Sequence, residues 1–269
     1  MFQDIVWITG MPRSGTNWLS QIFASHPKVR LKLCPLYSYE FKNALDENSS
    51  AKEWRELLKQ VYYKKSDYLD QEYLRRDGFV PTFEQRNEIP SVLVIKSTRF
   101  HNLTRGLMEK CPEINWVAIA RNPCASIYSW LSNPFEFPAG TDPRTEWRTG
   151  KCRKTGPGEF WGFEDWKAVS SMFLELERAY PTRFRIIRYK SLVHSARKQT
   201  RMLFSWIGLN FPEQTAAFLR ASQEKHVNHH RAVFKAPSSS ERWRCKLDPE
   251  IKHAIGAELE GSLLTRFSE

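Results

Sequence analysis

The chain has 269 residues, 41% of them hydrophobic, with 10 Trp and 17 Phe; that is enough apolar side chain for a sizeable core and excludes an intrinsically disordered chain. Lys and Arg outnumber Asp and Glu by 41 to 30, giving a formal charge of +11 and a pI near 9.5. The excess is spread among segments that also carry Trp, Phe and Leu, which excludes a basic tail and favours acidic partners such as phosphorylated nucleotides or anionic glycans.

The five cysteines form no C-x-x-C pair, so the sequence suggests neither a zinc knuckle nor a disulfide framework. No apolar run approaches the roughly 20 residues that span a bilayer, and "IVWI" is too short for a signal-peptide core. A soluble cytoplasmic protein with no integral membrane segment is expected.

Residues 5–9 read as a buried strand, and 16–25 as a helix with Trp18, Leu19, Ile22 and Phe23 on one face, ended by His26-Pro27. Residues 43–76 are polar and helical in pattern, with Trp54, Leu57, Leu58 and Val61 on a stripe suited to capping a sheet. "SVLVIK" at 91–96 and "INWVAIA" at 114–120 are continuous apolar runs, the mark of parallel strands buried on both faces. Residues 133–162, rich in Pro, Gly, Arg and Lys, read as a long loop and a candidate lid. An amphipathic helix is expected over 163–180, with Trp166, Val169, Phe173 and Leu176 on its apolar stripe. "FRIIRY" at 184–189 is a fourth strand, followed by a second amphipathic stretch over 193–207. Helices resume after the basic, His-containing segment "KHVNHHRAVFKAPSSSERWR". Alternating strands and helices predict an α/β fold, a single domain over residues 1–269 with a central parallel β-sheet flanked by helices and right-handed crossovers.

The first strand runs into "GMPRSGTNWL". A nucleotide-hydrolysing P-loop is G-x-x-x-x-G-K-[ST], its Lys on the terminal phosphates and its hydroxyl on magnesium. Gly10 and Gly15 keep that spacing, but Thr16 stands in the Lys position and Asn17 in the Ser/Thr position. The metal ligand and terminal-phosphate clamp are gone. What survives is a P-loop-like anion cradle: backbone N–H groups at a helix N-terminus, the Ser14 and Thr16 hydroxyls, and the forked cation of Arg13. In "WVAIARNPCASIYSW", Arg121 ends a strand, where α/β sheets bind ligands, and Ser129 follows eight residues later on the next helix.

"PRSGTNWL" resembles the 5'-phosphosulfate loop of sulfotransferases that use 3'-phosphoadenosine 5'-phosphosulfate (PAPS), and Arg121 with Ser129 resembles that family's 3'-phosphate grip. The resemblance is nearer to bacterial and carbohydrate-type members than to cytosolic phenol and steroid enzymes. It implies PAPS as donor, 3',5'-adenosine bisphosphate (PAP) as product, no metal requirement and no nucleic-acid partner. It implies donor contacts from Arg13, Ser14, Gly15, Thr16, Asn17 and Trp18, from Arg121 and Ser129, and from Tyr189 near the adenine. "SSSERWRCKL" resembles a late Arg-Trp-Arg-x-x-Leu loop, which would bring Arg242 to the nucleotide with Trp243 packing or stacking beside it.

Sulfuryl transfer to a hydroxyl or amine needs charge neutralised on the bridging oxygen and a base with access to the acceptor. Arg13 and Lys96 suit the first task. For the second, the cytosolic enzymes' Lys-Thr-His motif is here Lys96, Ser97 and Thr98, so the His is missing and His101 is the nearest substitute. Carbohydrate-type members use a Glu 20 to 30 residues after the loop cation, which matches Glu40; Tyr39 and Phe41 beside it would raise its pKa by shielding it from water. The acceptor implied is a small hydroxylated molecule or a glycan. Two alternatives remain: a P-loop-like nucleotide or small-molecule kinase, and an inactive PAPS-binding protein. A nucleic-acid-binding protein is a third class, for which no RRM, KH or zinc-finger signature is present.

Overall fold

The computed structural model describes residues 2–227, 229–234 and 240–268. Its centre is a five-stranded, wholly parallel sheet in the order β2-β3-β1-β4-β5, formed by β1 (Asp4–Thr9), β2 (Val29–Leu33), β3 (Val92–Ser97), β4 (Ile114–Ala120) and β5 (Phe184–Arg188). Side chains alternate cleanly between two cores: Ile5, Trp7, Leu93, Ile95, Trp116 and Ala118 enter one, and Val6, Ile8, Val92, Val94, Val117 and Ile119 enter the other. Both faces are buried, so the strands read as unbroken apolar runs.

The first core is roofed by α2 (Ala51–Tyr63), α4 (Thr104–Lys110) and α7 (Gly162–Ala179), with Trp7 stacked on Trp116 at 5.2 Å. The expected cap over 43–76 is mainly α2, which starts at a Ser50–Glu53 capping box and buries Trp54, Leu57, Leu58 and Val61. The short α3 (Glu72–Arg76) lies on the other side and gives Leu74 to the second core. That core is covered by α1 (Thr16–Ala24), α9 (Ala196–Trp206) and α10 (Glu213–Glu224), with Leu19, Phe23, Phe204 and Leu219 buried among them.

Three local features depart from the sequence reading. The edge strand β2 is absent from it, because "VRLKL" carries two cations; buried Lys32 is satisfied by Asp70 at 2.7 Å and by the carbonyl of Lys64. The amphipathic stretch over 193–207 is two helices, α8 (Tyr189–His194) and α9, broken at Ser195. The long segment 133–162 contains the short α6 (Pro143–Glu146), and its Phe137, Trp147 and Trp161 are buried in the first core. Those aromatics tie the segment down: Trp130 of α5 (Pro123–Leu131) meets Trp161 at 5.5 Å, and Trp147 stacks on Phe163 at 5.7 Å.

From β1 the chain crosses toward β2, and from β4 it crosses the other way toward β5. The crevice at the C-terminal ends of β1 and β4 is therefore the topological switch point, where open α/β sheets bind ligands.

Candidate active site

The loop after β1 is shaped by close approaches. A side chain on Gly10 would place its Cβ 2.7 Å from the Ile119 carbonyl oxygen, and one on Gly15, at φ 97°, would sit 2.5 Å from the Tyr189 ring. Between them Arg13 holds φ 68°, a left-handed conformation that costs a non-glycine residue of order 1 kcal/mol or more. The strain is held by Arg121, whose Nη1 donates to the Arg13 carbonyl at 2.8 Å while its guanidinium lies 4.5 Å from the Tyr189 ring centre. The Arg13 side chain donates from Nε to Ser129 Oγ at 3.1 Å and from Nη1 to the His230 carbonyl at 3.4 Å, and lies 3.5 Å from Glu136 Oε2. Ser129 therefore serves Arg13 in this structure, although the sequence pairs it with Arg121.

Above these groups opens a cavity of about 740 Å³, the size of a cofactor site. Arg13, Gly15, Thr16, Asn17, Trp18, Lys96, Arg121, Ser129, Tyr189 and Arg242 all line it. Trp18 is braced by an Nε1 hydrogen bond to Ser222 Oγ of α10 at 2.9 Å, which fixes its ring in the wall. Tyr189 and Arg121 also border an adjoining cavity of about 300 Å³.

Four expected site residues lie elsewhere. Ser14 is buried within the loop and does not line the cavity. Trp243 is buried in the first core and faces only the adjoining cavity, so its role here is packing. His101 is 2% exposed, with Nδ1 3.3 Å from Thr9 Oγ1 and its ring edge-on to Phe160 and Phe173. Burial pushes its pKa down to about 3, and it does not reach the cleft. Glu40 is exposed and also away from the cleft. Its slight burial pushes its pKa up, but hydrogen bonds from Ser66, its own backbone and Ser38, with the Lys64 charge, outweigh that and hold it below the ordinary value. Tyr39, expected to shield it, is 98% exposed. Neither expected base lines the cavity.

Lys96 is different. It sits buried at the end of β3 with its side chain on the cavity wall, and burial lowers its pKa to about 8. Near it the structure adds residues that the sequence did not single out: Arg99, paired with Glu159 and lying 3.9 Å from the Tyr37 ring centre, Asn133, Glu136 and His230. Arg153, noted only as one of the loop's cations, joins them. Among the described residues twelve buried side-chain polar atoms lack a hydrogen-bond partner, and five belong to cavity-lining residues: Arg121 Nε, Asn133 Nδ2, Glu136 Oε2, Arg153 Nε and His230 Nε2. Buried polar atoms are rarely left unpaired. Their gathering around one cleft marks it as built for a polar ligand.

The profile of the sulfotransferase family matches residues 5–213, which takes in the loop after β1, the Arg121–Ser129 element and every strand of the sheet. The chain belongs to the sulfotransferase family. No curated protein matches it in sequence. Solved structures resemble this sulfotransferase in fold. The sulfotransferase domain of the Synechococcus PCC 7002 olefin synthase is 15% identical with a TM-score of 0.53, the match covering 96% of this chain and 94% of that one. The sulfotransferase domain from the curacin biosynthetic pathway is 16% identical with a TM-score of 0.55, covering 96% and 98%. Mouse sulfotransferase SULT7A1, solved with PAP, is 14% identical with a TM-score of 0.54, covering 98% and 87%. At such identities the likeness extends to the fold, a parallel sheet flanked by helices.

Proposed function

We propose that this sulfotransferase uses PAPS as donor and transfers its sulfuryl group to a hydroxyl, less readily an amine, of a carbohydrate or similar hydroxylated metabolite, with residues 1–269 acting as one domain. The observation that carries this reading is the joining of Arg13 and Arg121 at the β1–β4 switch point, beneath a cavity lined by unpaired polar atoms. The residues present fit the donor. Backbone amides of the loop and Arg13 would hold the 5'-phosphosulfate at the N-terminus of α1; Arg121, Ser129 and Arg242 would take the 3'-phosphate; Trp18 and Tyr189 would flank the adenine. Bound there, PAPS supplies the sulfuryl group and a nucleotide leaving group. PAP-bound SULT7A1 and the PAP complex of retinol dehydratase, 12% identical here, support the choice of nucleotide.

Arg13 and Lys96 face the region where negative charge would grow on the bridging oxygen, and fixed cations in a partly enclosed site are effective there. They supply the charge that magnesium supplies in a P-loop kinase, where the loop carries the Lys and hydroxyl that Thr16 and Asn17 replace here. No metal is required on this account. Family membership takes the place of the kinase alternative.

On the acceptor side, exposed Phe135 lines the cavity together with Asn133, Arg99, Arg153 and the largely buried Trp161. An apolar face bordered by hydrogen-bonding groups suits a sugar. The test is transfer from radiolabelled PAPS to an array of sugars, amines and phenols. Label on sugar hydroxyls is expected; label confined to small phenols overturns the acceptor, and intact PAPS beside tight PAP binding means an inactive nucleotide-binding protein.

A further inference from the structure

Sulfuryl transfer to an alcohol needs a proton acceptor, and the structure takes both sequence candidates out of the cleft. Among the described residues that line the cavity, Glu136 is the one carboxylate. It stands just past α5 in "SNPFEF", and its backbone is fixed from several directions. Its N–H donates to the Asn133 carbonyl at 3.0 Å, and its carbonyl accepts from the indole Nε1 of buried Trp130 at 3.2 Å. Phe137 donates to the same Asn133 carbonyl at 2.8 Å, while Asn133 Oδ1 accepts from the Phe135 N–H at 3.2 Å. This tight turn aims the side chain at Arg13, where Oε2 lies 3.5 Å from Nη1, is itself buried and has no hydrogen-bond partner. The carboxylate is close enough to Lys96 and His230 to act on both electrostatically.

The geometry follows from these positions. The sulfuryl group must sit near Arg13, the loop cation, and the acceptor oxygen must approach it in line from the side away from the nucleotide. Lys96, Arg99 and Arg153 line the same cavity, and Glu136 both meets Arg13 at 3.5 Å and is near enough to Lys96 to act on it electrostatically. Oε2 faces Arg13 with no hydrogen bond made, while the Glu136 side chain as a whole keeps 26% of its surface exposed on the cavity wall, which leaves the carboxylate open to a hydroxyl.

Building on the sulfuryl-transfer reading above, we propose that Glu136 is the general base of this enzyme. Its carboxylate accepts the acceptor's hydroxyl proton as the acceptor oxygen bonds to sulfur. The bond from sulfur to the bridging phosphate oxygen breaks, its electron pair leaves on the 5'-phosphate of PAP beside Arg13, and the proton on Glu136 passes to solvent. No oxidant or further reactant is needed.

The test uses the full chain as wild type, E136Q, E136D and H230Q. Three readouts are taken: single-turnover PAP release from PAPS with N-acetylglucosamine, the same release with water as the only acceptor, and PAP affinity by calorimetry. The proposal predicts that E136Q lowers the turnover rate about 100-fold or more, the usual weight of a general base, with PAP affinity within about threefold of wild type. E136D, which keeps a carboxylate, turns over faster than E136Q, and this comparison holds even if E136Q folds poorly. Turnover by E136Q within a few-fold of wild type overturns the proposal. So does a tenfold loss of PAP affinity with saturated turnover unchanged, which would make Glu136 only a brace for Arg13. Loss of turnover in H230Q with E136Q at the wild-type rate moves the base to His230. Failure of the underlying reading looks different: wild type itself leaves PAPS intact and binds PAP no better than ATP, and the role of Glu136 falls with it.

Discussion

Arg121 Nη1 donates a 2.8 Å hydrogen bond to the carbonyl oxygen of Arg13, so the cation that ends β4 holds the backbone of the loop that ends β1. The two motifs, 108 residues apart in the chain, are thus one mechanical unit. Arg13 keeps its left-handed φ under this bond, and its side chain is pinned in turn by Ser129 of α5. A residue that serves as both ligand and brace loses more on substitution than its charge alone.

Gly15 tests the shape of the loop. At φ 97°, with the Tyr189 ring where a Cβ would go, Gly15→Ala must displace the ring or the loop. A cost of about 1–3 kcal/mol follows from forcing a strained, crowded position. PAP affinity, measured by calorimetry, is expected to fall about tenfold or more. Wild-type affinity in Gly15→Ala would mean the loop is not held as described.

Lys96 gives a pH signature. Burial lowers its pKa from 10.5 to about 8, so its charge, proposed to aid the transition state, is present below pH 8 and lost as pH rises through that value. Turnover should fall over the same range, and Lys96→Arg, which stays charged, should remove that limb of the profile. Stability moves the opposite way: between pH 8 and 10.5 the unfolded chain holds the proton that the native chain has released, so stability rises with pH there. Denaturant midpoints of wild type and Lys96→Met across that range check the sign.

His101 is a core residue on this account. Its ring stays neutral down to about pH 3, whereas the unfolded chain protonates it near 6.5. Across that window the unfolded state binds the extra proton, so stability falls as pH drops. His101→Asn should flatten this acid dependence and cost about 1–2 kcal/mol at neutral pH through lost packing and the lost Thr9 contact. It should leave the pH dependence of turnover unchanged, and a lost limb would return His101 to the mechanism.

Glu40 lies outside the cleft, hydrogen-bonded among Ser38 and Ser66 with its pKa lowered. Glu40→Gln is expected to turn over within about twofold of wild type. A hundredfold fall would show that the segment carrying it moves into the site.

The fold was largely legible because β1, β3 and β4 are buried on both faces and so read as compact, continuous apolar runs alternating with helical patterns. β2 was hidden because Arg30 and Lys32 break the pattern, and the Asp70 that neutralises Lys32 is 38 residues away. The loop after β1, proposed to hold phosphate, was legible because its residues are contiguous. The base was not. Position along the chain places Glu40 and His101 plausibly, yet whether a side chain faces the cleft or the core depends on packing against residues such as Phe160 and Phe173. Glu136, a single acid in a Pro- and Phe-rich turn, acquires meaning only when the fold brings it within 3.5 Å of Arg13.

On the reading proposed above, Arg13 and Arg121 form a site for a nucleotide with both 5' and 3' phosphates. Calorimetric titration of wild type and Arg121→Ala with PAP, and of wild type with ATP and magnesium, tests it most directly. Tight PAP binding and weak ATP binding are expected, with a loss of about 10- to 100-fold or more for PAP in Arg121→Ala, the scale of about 1.5–3 kcal/mol for a charged hydrogen bond. ATP binding as well as PAP, or Arg121→Ala binding PAP at wild-type strength, would contradict it.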